Sequence, residues 1–226
     1  PHASRGLAAR LAVDRAFSLD GVGTVVTGTL HAGEIAVGDE LAIQGHRARV
    51  KSLHAQNRAV ERAQAGQRCA VALAGLAREQ APRGQWLTAP AAALTTERLD
   101  TRLNLWPGEA RALRSGTRVH LHLGAQSVMA SVAVLDGDAL EPGATARVQL
   151  VCHAPVGAWR GDRLVLRDAS ASRTLAGGVV LDPFAPARYR RTPERLAELD
   201  ACELPTADAR RERLLALSAL GLDLVR

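Results

Sequence analysis

From Leu7 to about Pro90 the apolar residues come in short runs broken by glycine about every 8–12 positions, the rhythm of a small β-barrel. Leu11, Val13, Phe17 and Leu19 alternate with smaller or polar residues, which predicts a half-buried strand. Asp20-Gly21 predicts a hairpin, because both central positions of a type I′ turn need positive φ. Thr24–Leu30 is the return strand, and His31-Ala32-Gly33-Glu34 turns the chain again. Leu41–Ile43, Arg47–His54, Gln67–Leu73 and Arg83–Leu87 supply the remaining strands.

Pro90-Ala91-Ala92-Ala93 reads as a linker. A second β-rich region follows, with strands expected at Thr96–Leu105, Thr117–Leu123, Val128–Leu135, Thr145–Cys152, Arg163–Asp168 and Thr174–Leu181. After Asp182-Pro183 the spacing becomes helical, over Pro193–Leu199 and Ala207–Leu220, with Thr192-Pro193 and Thr206–Asp208 as helix starts. A short tail of this kind buries little apolar area and is expected to be mobile. The fold class is therefore mainly β: two consecutive β-barrel domains over residues 1–90 and 91–183, then a short α-helical segment over 184–226.

Composition adds bounds. With 47% hydrophobic and 23% charged residues the chain has material for a core, which excludes wholesale disorder. No stretch approaches the ~18 uninterrupted apolar residues of a membrane span, and no apolar run follows Pro1–Arg5 as in a secretory signal. Cys69, Cys152 and Cys202 are odd in number and far apart, which favours reduced thiols and a cytoplasmic setting. The net charge of +6 favours a polyanionic partner. Lys51 is the sole lysine, and such an excess of arginine also fits a GC-rich genome.

No catalytic constellation is visible. Gly21-Val22-Gly23-Thr24 lacks the Lys-Ser or Lys-Thr of a phosphate loop and reads as a hairpin turn. His120 and His122 share a strand face but have no third ligand nearby, and Ser127 and Ser131 lie in no nucleophile elbow. Arg15 is the anomaly, since alternation places it in the row of Leu11, Val13, Phe17 and Leu19. A guanidinium there either snorkels out at the barrel rim or faces an anion at the edge of a pocket. Arg68, where a turn enters a strand, is either an ordinary surface arginine or a second cation of that pocket.

Leu11-Ala12-Val13-Asp14-Arg15-Ala16-Phe17, Gly21 to Thr29, Val37-Gly38-Asp39 and Ala65-Gly66-Gln67-Arg68 together resemble the second domain of translational GTPases. His54-Ala55-Gln56-Asn57 narrows the resemblance to the selenocysteine-specific elongation factors, as do Asp162–Asp168 and Arg173–Gly178, similar to the last strands of their third domain. It covers about residues 7–183, and the later helices resemble the start of the winged-helix region.

The resemblance implies a fragment with no enzymatic activity of its own, its G domain with GTP and Mg²⁺ preceding Pro1 and most winged helices following Arg226. No cofactor site is implied within the chain itself. It also implies selenocysteinyl-tRNA, the ribosome and a selenoprotein mRNA hairpin as partners, and no membrane. Asp14, Arg15 and Arg68 match the aminoacyl pocket, where fixed positive charge suits a selenolate. Asp14 would either orient an arginine or accept from the α-amino group. Phe17 and His54 match the acceptor-end contacts, His54 stacking on the terminal adenosine or standing as a surface histidine. Gln126, Ser127, Ser172 and Arg173 resemble contacts to the tRNA stem. The alternatives are the same domains of another translational GTPase, such as a relative of elongation factor Tu or an initiation factor, and a non-catalytic β-barrel adaptor.

Overall fold

A computed structural model describes residues 7–218, which divide into two compact units: residues 7–94 with 124–126, and residues 95–123 with 127–218. The first contains β1 (Arg10–Leu19), β2 (Gly23–Ala32), β3 (Glu34–Ala36), β4 (Glu40–Ile43), β5 (His46–Ala55), β6 (Arg58–Ala59), β7 (Arg62–Gln64), β8 (Arg68–Ala74) and β9 (Trp86–Thr88). The order β4-β9-β1-β2-β8-β5 closes on itself because β4 also pairs with β5, and β6 extends the sheet beyond β5. Period-2 alternation aims Leu11, Val13, Val26, Leu30, Leu53 and Val71 inward, all at 1% exposure or less. Each such side chain contributes about 1.5–3 kcal/mol over an exposed one. At the barrel edge Arg10 is 2% exposed and lays its guanidinium 3.6 Å over the Trp86 ring.

The β1–β2 turn differs from the sequence expectation. Leu19 pairs with Gly23, so the loop has three residues, and Gly21 and Gly23 take positive φ while Asp20 does not. Two glycines two apart serve a three-residue loop, whereas a type I′ turn needs adjacent positive φ values. Gly28 answers a different demand. A Cβ there would lie 2.0 Å from the Ala12 carbonyl oxygen, so glycine lets β1 and β2 approach closely.

The second unit holds β10 (Thr96–Leu105), β11 (Leu113–Arg114), β12 (Arg118–Leu123), β13 (Gln126–Val134, all but its first residue), β14 (Ala139–Leu140), β15 (Thr145–Val156), β16 (Arg163–Arg167) and β17 (Thr174–Asp182), followed by helices α1 (Pro193–Glu203) and α2 (Ala207–Leu217). Strands β10-β15-β13-β12-β16-β17 form a closed barrel around Leu103, Leu121, Val132, Val148, Leu150 and Leu166. The fold is thus mainly β with two six-stranded barrels and two short helices. The residues of the expected helix beyond Ser218 lie outside the described region.

The expectation of a tail that buries little fails for α1. Thr192 caps it, its hydroxyl accepting from the Arg195 amide at 3.2 Å, and Pro193 occupies the first turn, where no amide donor is needed. Leu199 and Cys202 pack with Leu135 and Leu181 of the barrel. Arg195, 11% exposed at its side chain, donates to Asp100 and Asp182 at 2.6 Å each and to Glu198 at 2.8 Å. Arg147 reaches Asp200 and the Leu196 carbonyl from the barrel side. By contrast α2 has no buried residue.

Candidate functional site

β1 is not a uniform strand. Val13 pairs with Gly28 and Arg15 with Thr27, adjacent positions on β2, so Asp14 is the extra residue of a β-bulge. The bulge inverts the parity of everything after it. Before it Leu11 and Val13 point inward; after it Ala16 packs on the core, Arg15 is exposed, Phe17 is half-buried and Leu19 is 47% exposed. The expectation that Arg15 shares a face with Leu11 and Val13 is corrected on this ground. Arg15, Phe17 and Leu19 share the outer face.

Register then assembles the rest. Arg15 pairs with Thr27, Thr27 with Ala70, and Ala70 with His54, one row across β1, β2, β8 and β5. With strands ~4.8 Å apart, the row spans about 14 Å. A second row two residues along joins Phe17, Val25, Ala72 and Ser52 on the same side. Arg68 lies two residues before Ala70 and so shares this face. A second shift in β5, between Val50 and Ser52, keeps Leu53 inward and His54 outward. Asp14, Arg15, Phe17, His54 and Arg68, drawn from three separate strands, are thereby brought together around a floor of small residues.

Asp14 and Arg68 are engaged with each other. Arg68 donates from Nη1 to Oδ2 and from Nη2 to Oδ1 of Asp14, the latter at 3.1 Å, and Thr27 Oγ1 donates to Asp14 Oδ1 at 2.7 Å. Burial alone would push the Asp14 carboxyl up, but the hydrogen bonds from Arg68 and Thr27 and the charges of Arg68 and Arg15 hold it below its usual value. Asp14 likewise raises the Arg68 guanidinium. Arg15 makes no hydrogen bond or ion pair among the described residues. Two guanidiniums against one carboxylate leave the cluster one net positive charge.

Sequence reasoning passed over Thr27. It stands within Gly23-Thr24-Val25-Val26-Thr27-Gly28, a string read as a strand and as a family motif but not as part of the site, and its pairing opposite the bulge was the missing signal.

The four residues expected on the tRNA stem are not brought together. Gln126 and Ser127 begin β13 just past Leu123, which pairs with Leu164 of β16. Ser172 and Arg173 lie in the loop beyond Arg167, which pairs with His120, so the two pairs flank opposite ends of the β12–β16 ladder. Gln126 is 8% exposed, whereas Ser127 is exposed. Ser172 donates its hydroxyl and its amide to Asp168, both at 2.7 Å, and these with the amide of Arg173 and the hydroxyl of Ser170 hold the Asp168 carboxyl far below its usual range. Arg173 is paired with Glu109 at 2.6 Å.

Gly21–Thr24 lies at the β1–β2 hairpin, and among the described residues no group of three or more His, Cys, Asp or Glu could hold a metal ion. Among them, too, no helix is long and apolar enough to cross a membrane.

Comparison with known proteins agrees with the two barrels. Residues 23–88 match the family model of elongation factor Tu domain 2, and residues 100–187 match that of the selenocysteine-specific elongation factor β-barrel domain. The chain is 40% identical over 203 residues to the selenocysteine-specific elongation factor of Escherichia coli K12, covering 88% of this chain and 31% of that protein. It is 37% identical over 196 residues to that of Desulfomicrobium baculatum, covering 85% and 31%. The chain thus spans about a third of the length of these relatives. A crystal structure of translation elongation factor SelB from Methanococcus maripaludis, apo form, superposes with a TM-score of 0.68 at 24% identity, over 79% of this chain and 43% of that one, a likeness of fold. Over the stretch these matches share, the chain belongs to the selenocysteine-specific elongation factor family.

Proposed function

We propose that this chain is the tRNA-binding portion of a translational GTPase that delivers selenocysteinyl-tRNA to the ribosome at recoded UGA codons. The first barrel is its second domain and holds the aminoacyl end; the second barrel is its third domain and grips the tRNA stem. Residues 184–226 begin the winged-helix region that leads to the reader of the selenoprotein mRNA hairpin. GTP hydrolysis, with its Mg²⁺, is assigned to the part of the full-length protein outside this chain. A cytoplasmic location follows from that role.

The observation that carries this reading is the single outer face holding Asp14, Arg15, Phe17, His54 and Arg68. Selenocysteine differs from serine and cysteine chiefly in being an anion at neutral pH, and a cluster with a net positive charge attracts it selectively. Arg15 offers an unpaired guanidinium. The Asp14–Arg68 pair, fixed by Thr27, sets a second guanidinium beside it without the cost of ordering it on binding. Phe17 and His54 flank the row of Val25, Ala70 and Ala72, and a phenyl ring and an imidazole are both surfaces on which a base stacks.

The test follows hydrolysis of the aminoacyl ester in the presence of the full-length protein and GTP, with selenocysteine and serine on the same tRNA. Protection of the selenocysteine ester alone is expected. Equal protection of both overturns the charge-selective pocket and leaves a translational GTPase; protection of neither overturns the tRNA assignment and favours the adaptor barrel.

A further inference from the structure

Residues 186–191 run from β17 toward α1 and are pinned to the second unit on both sides of Tyr189. Gln149, 0% exposed, donates to the Pro186 carbonyl at 3.1 Å and accepts from Arg190 Nη1 at 3.2 Å. Arg191 donates from Nε to the Leu135 carbonyl at 3.3 Å and from Nη2 to the Gly137 carbonyl. Between these anchors Tyr189 takes φ +57, in the left-handed region that a bulky residue enters only at a cost. Glycine or asparagine would make the same reversal with less strain.

Packing does not account for the ring. Tyr189, the sole tyrosine of the chain, is 80% exposed. Its neighbour Arg188 is exposed and has no hydrogen bond or ion pair among the described residues. Arg190 and Arg191 spend their guanidiniums inward, which fixes the backbone and turns the tyrosine and Arg188 out.

We propose that Tyr189 and Arg188 form a stacking platform for an unpaired RNA base, with the ring against the base and the guanidinium on a flanking phosphate. One ring carried on an anchored backbone beside a free cation is the minimal unit for sequence-tolerant capture of a base. A protein partner would call for an apolar patch around the ring, and here the flanking residues are arginines in a chain of net charge +6. The pinned backbone keeps the ordering cost of binding small. This platform lies in the second unit and does not depend on the first-barrel site.

The test uses the full chain and a fluorescein-labelled oligouridylate at low salt. Tyr189→Gly relieves the left-handed strain, so it should be at least as thermally stable as the parent, yet bind about tenfold more weakly. Tyr189→Phe should bind like the parent, and Arg188→Ala should weaken binding and flatten its salt dependence. Equal binding by Tyr189→Gly and the parent overturns the platform, as does a parent that does not bind oligouridylate. Equal losses in Tyr189→Phe and Tyr189→Gly overturn the stacking contact. A Tyr189→Gly chain that melts earlier shows that the ring packs on the fold, and overturns it too.

Discussion

Asp100 and Asp182 are cross-strand partners on β10 and β17, and the cation between them comes from neither strand. Like charges directly opposite each other destabilise a sheet. Arg195 of α1 resolves the conflict by donating to both. Burial pushes the Asp100 carboxyl up, and its hydrogen bonds from Arg195 and Gln149 offset this only in part. Burial alone would lower Arg195, but Asp100, Asp182 and Glu198 together raise it. The second barrel is thus electrostatically complete only with the helix that follows it.

Arg195→Met should therefore destabilise the second unit by about 3–5 kcal/mol, the usual consequence of stranding a buried charge. The sign with pH is fixed by the raised Asp100 carboxyl. A carboxyl raised in the folded state favours folding while protonated, and that contribution is lost as pH rises through the raised value. Without Arg195 the carboxyl rises further, so the gap in urea midpoint between parent and variant should be widest near neutral pH and narrow in acid. A gap independent of pH would detach the effect from Asp100.

Charge in the first-barrel cluster makes a second prediction. Arg15→Ala and Arg68→Ala each bring its net charge to zero, so in the full-length protein each should weaken selenocysteinyl-tRNA binding about ten- to a hundredfold, with seryl-tRNA far less affected. Asp14→Asn should act in the opposite direction and tighten selenocysteinyl-tRNA binding. If Asp14→Asn instead weakens both aminoacyl-tRNAs alike, its carboxylate serves the α-amino group and not the arginines.

Gly28 supports a test of packing. Gly28→Ala forces a methyl against the Ala12 carbonyl and the Leu11 side chain, whereas the nearest atom to a Cβ at Gly177 is 4.0 Å away. Gly28→Ala should cost about 1–3 kcal/mol or more by denaturant titration, and Gly177→Ala much less. Similar losses at the two positions would refute the close β1–β2 approach.

All three cysteines are buried and free. Burial, reinforced by Glu97, pushes the Cys152 thiol up to about 12, and burial also raises Cys69 and Cys202. A thiolate-specific reagent at pH ~8 should label none of them in the native chain and all three after denaturation. Labelling of native Cys152 would contradict its placement.

Much of the architecture was legible because each barrel strand carries its own period-2 signal and glycine marks the ends. The same rule misled at Asp14. An alternation read straight through β1 set Arg15 in one row with Leu11 and Val13, since a bulge depends on pairing with β2 and leaves no mark on the spacing. The family resemblance selected Asp14, Arg15 and Arg68, and of these Asp14 and Arg68, 54 positions apart, meet across β2, which lies between their strands. The anchoring of α1 was hidden for a similar reason: Asp100, Gln149 and Asp182 lie far back along the chain, and nothing local to Arg195 announces them.

The bulge at Asp14 has an evolutionary consequence. It separates a stretch of β1 whose odd-numbered residues fill the barrel from one whose odd-numbered residues face outward while Ala16 packs inward, so substitutions at positions 15 and 17 change what is displayed without disturbing the interior. A new side-chain preference is then a few point changes away on an inherited scaffold. Loss of the single residue Asp14 would leave Arg15 opposite Thr27 and facing outward, but it would remove the carboxylate that Arg68 and Thr27 hold in place.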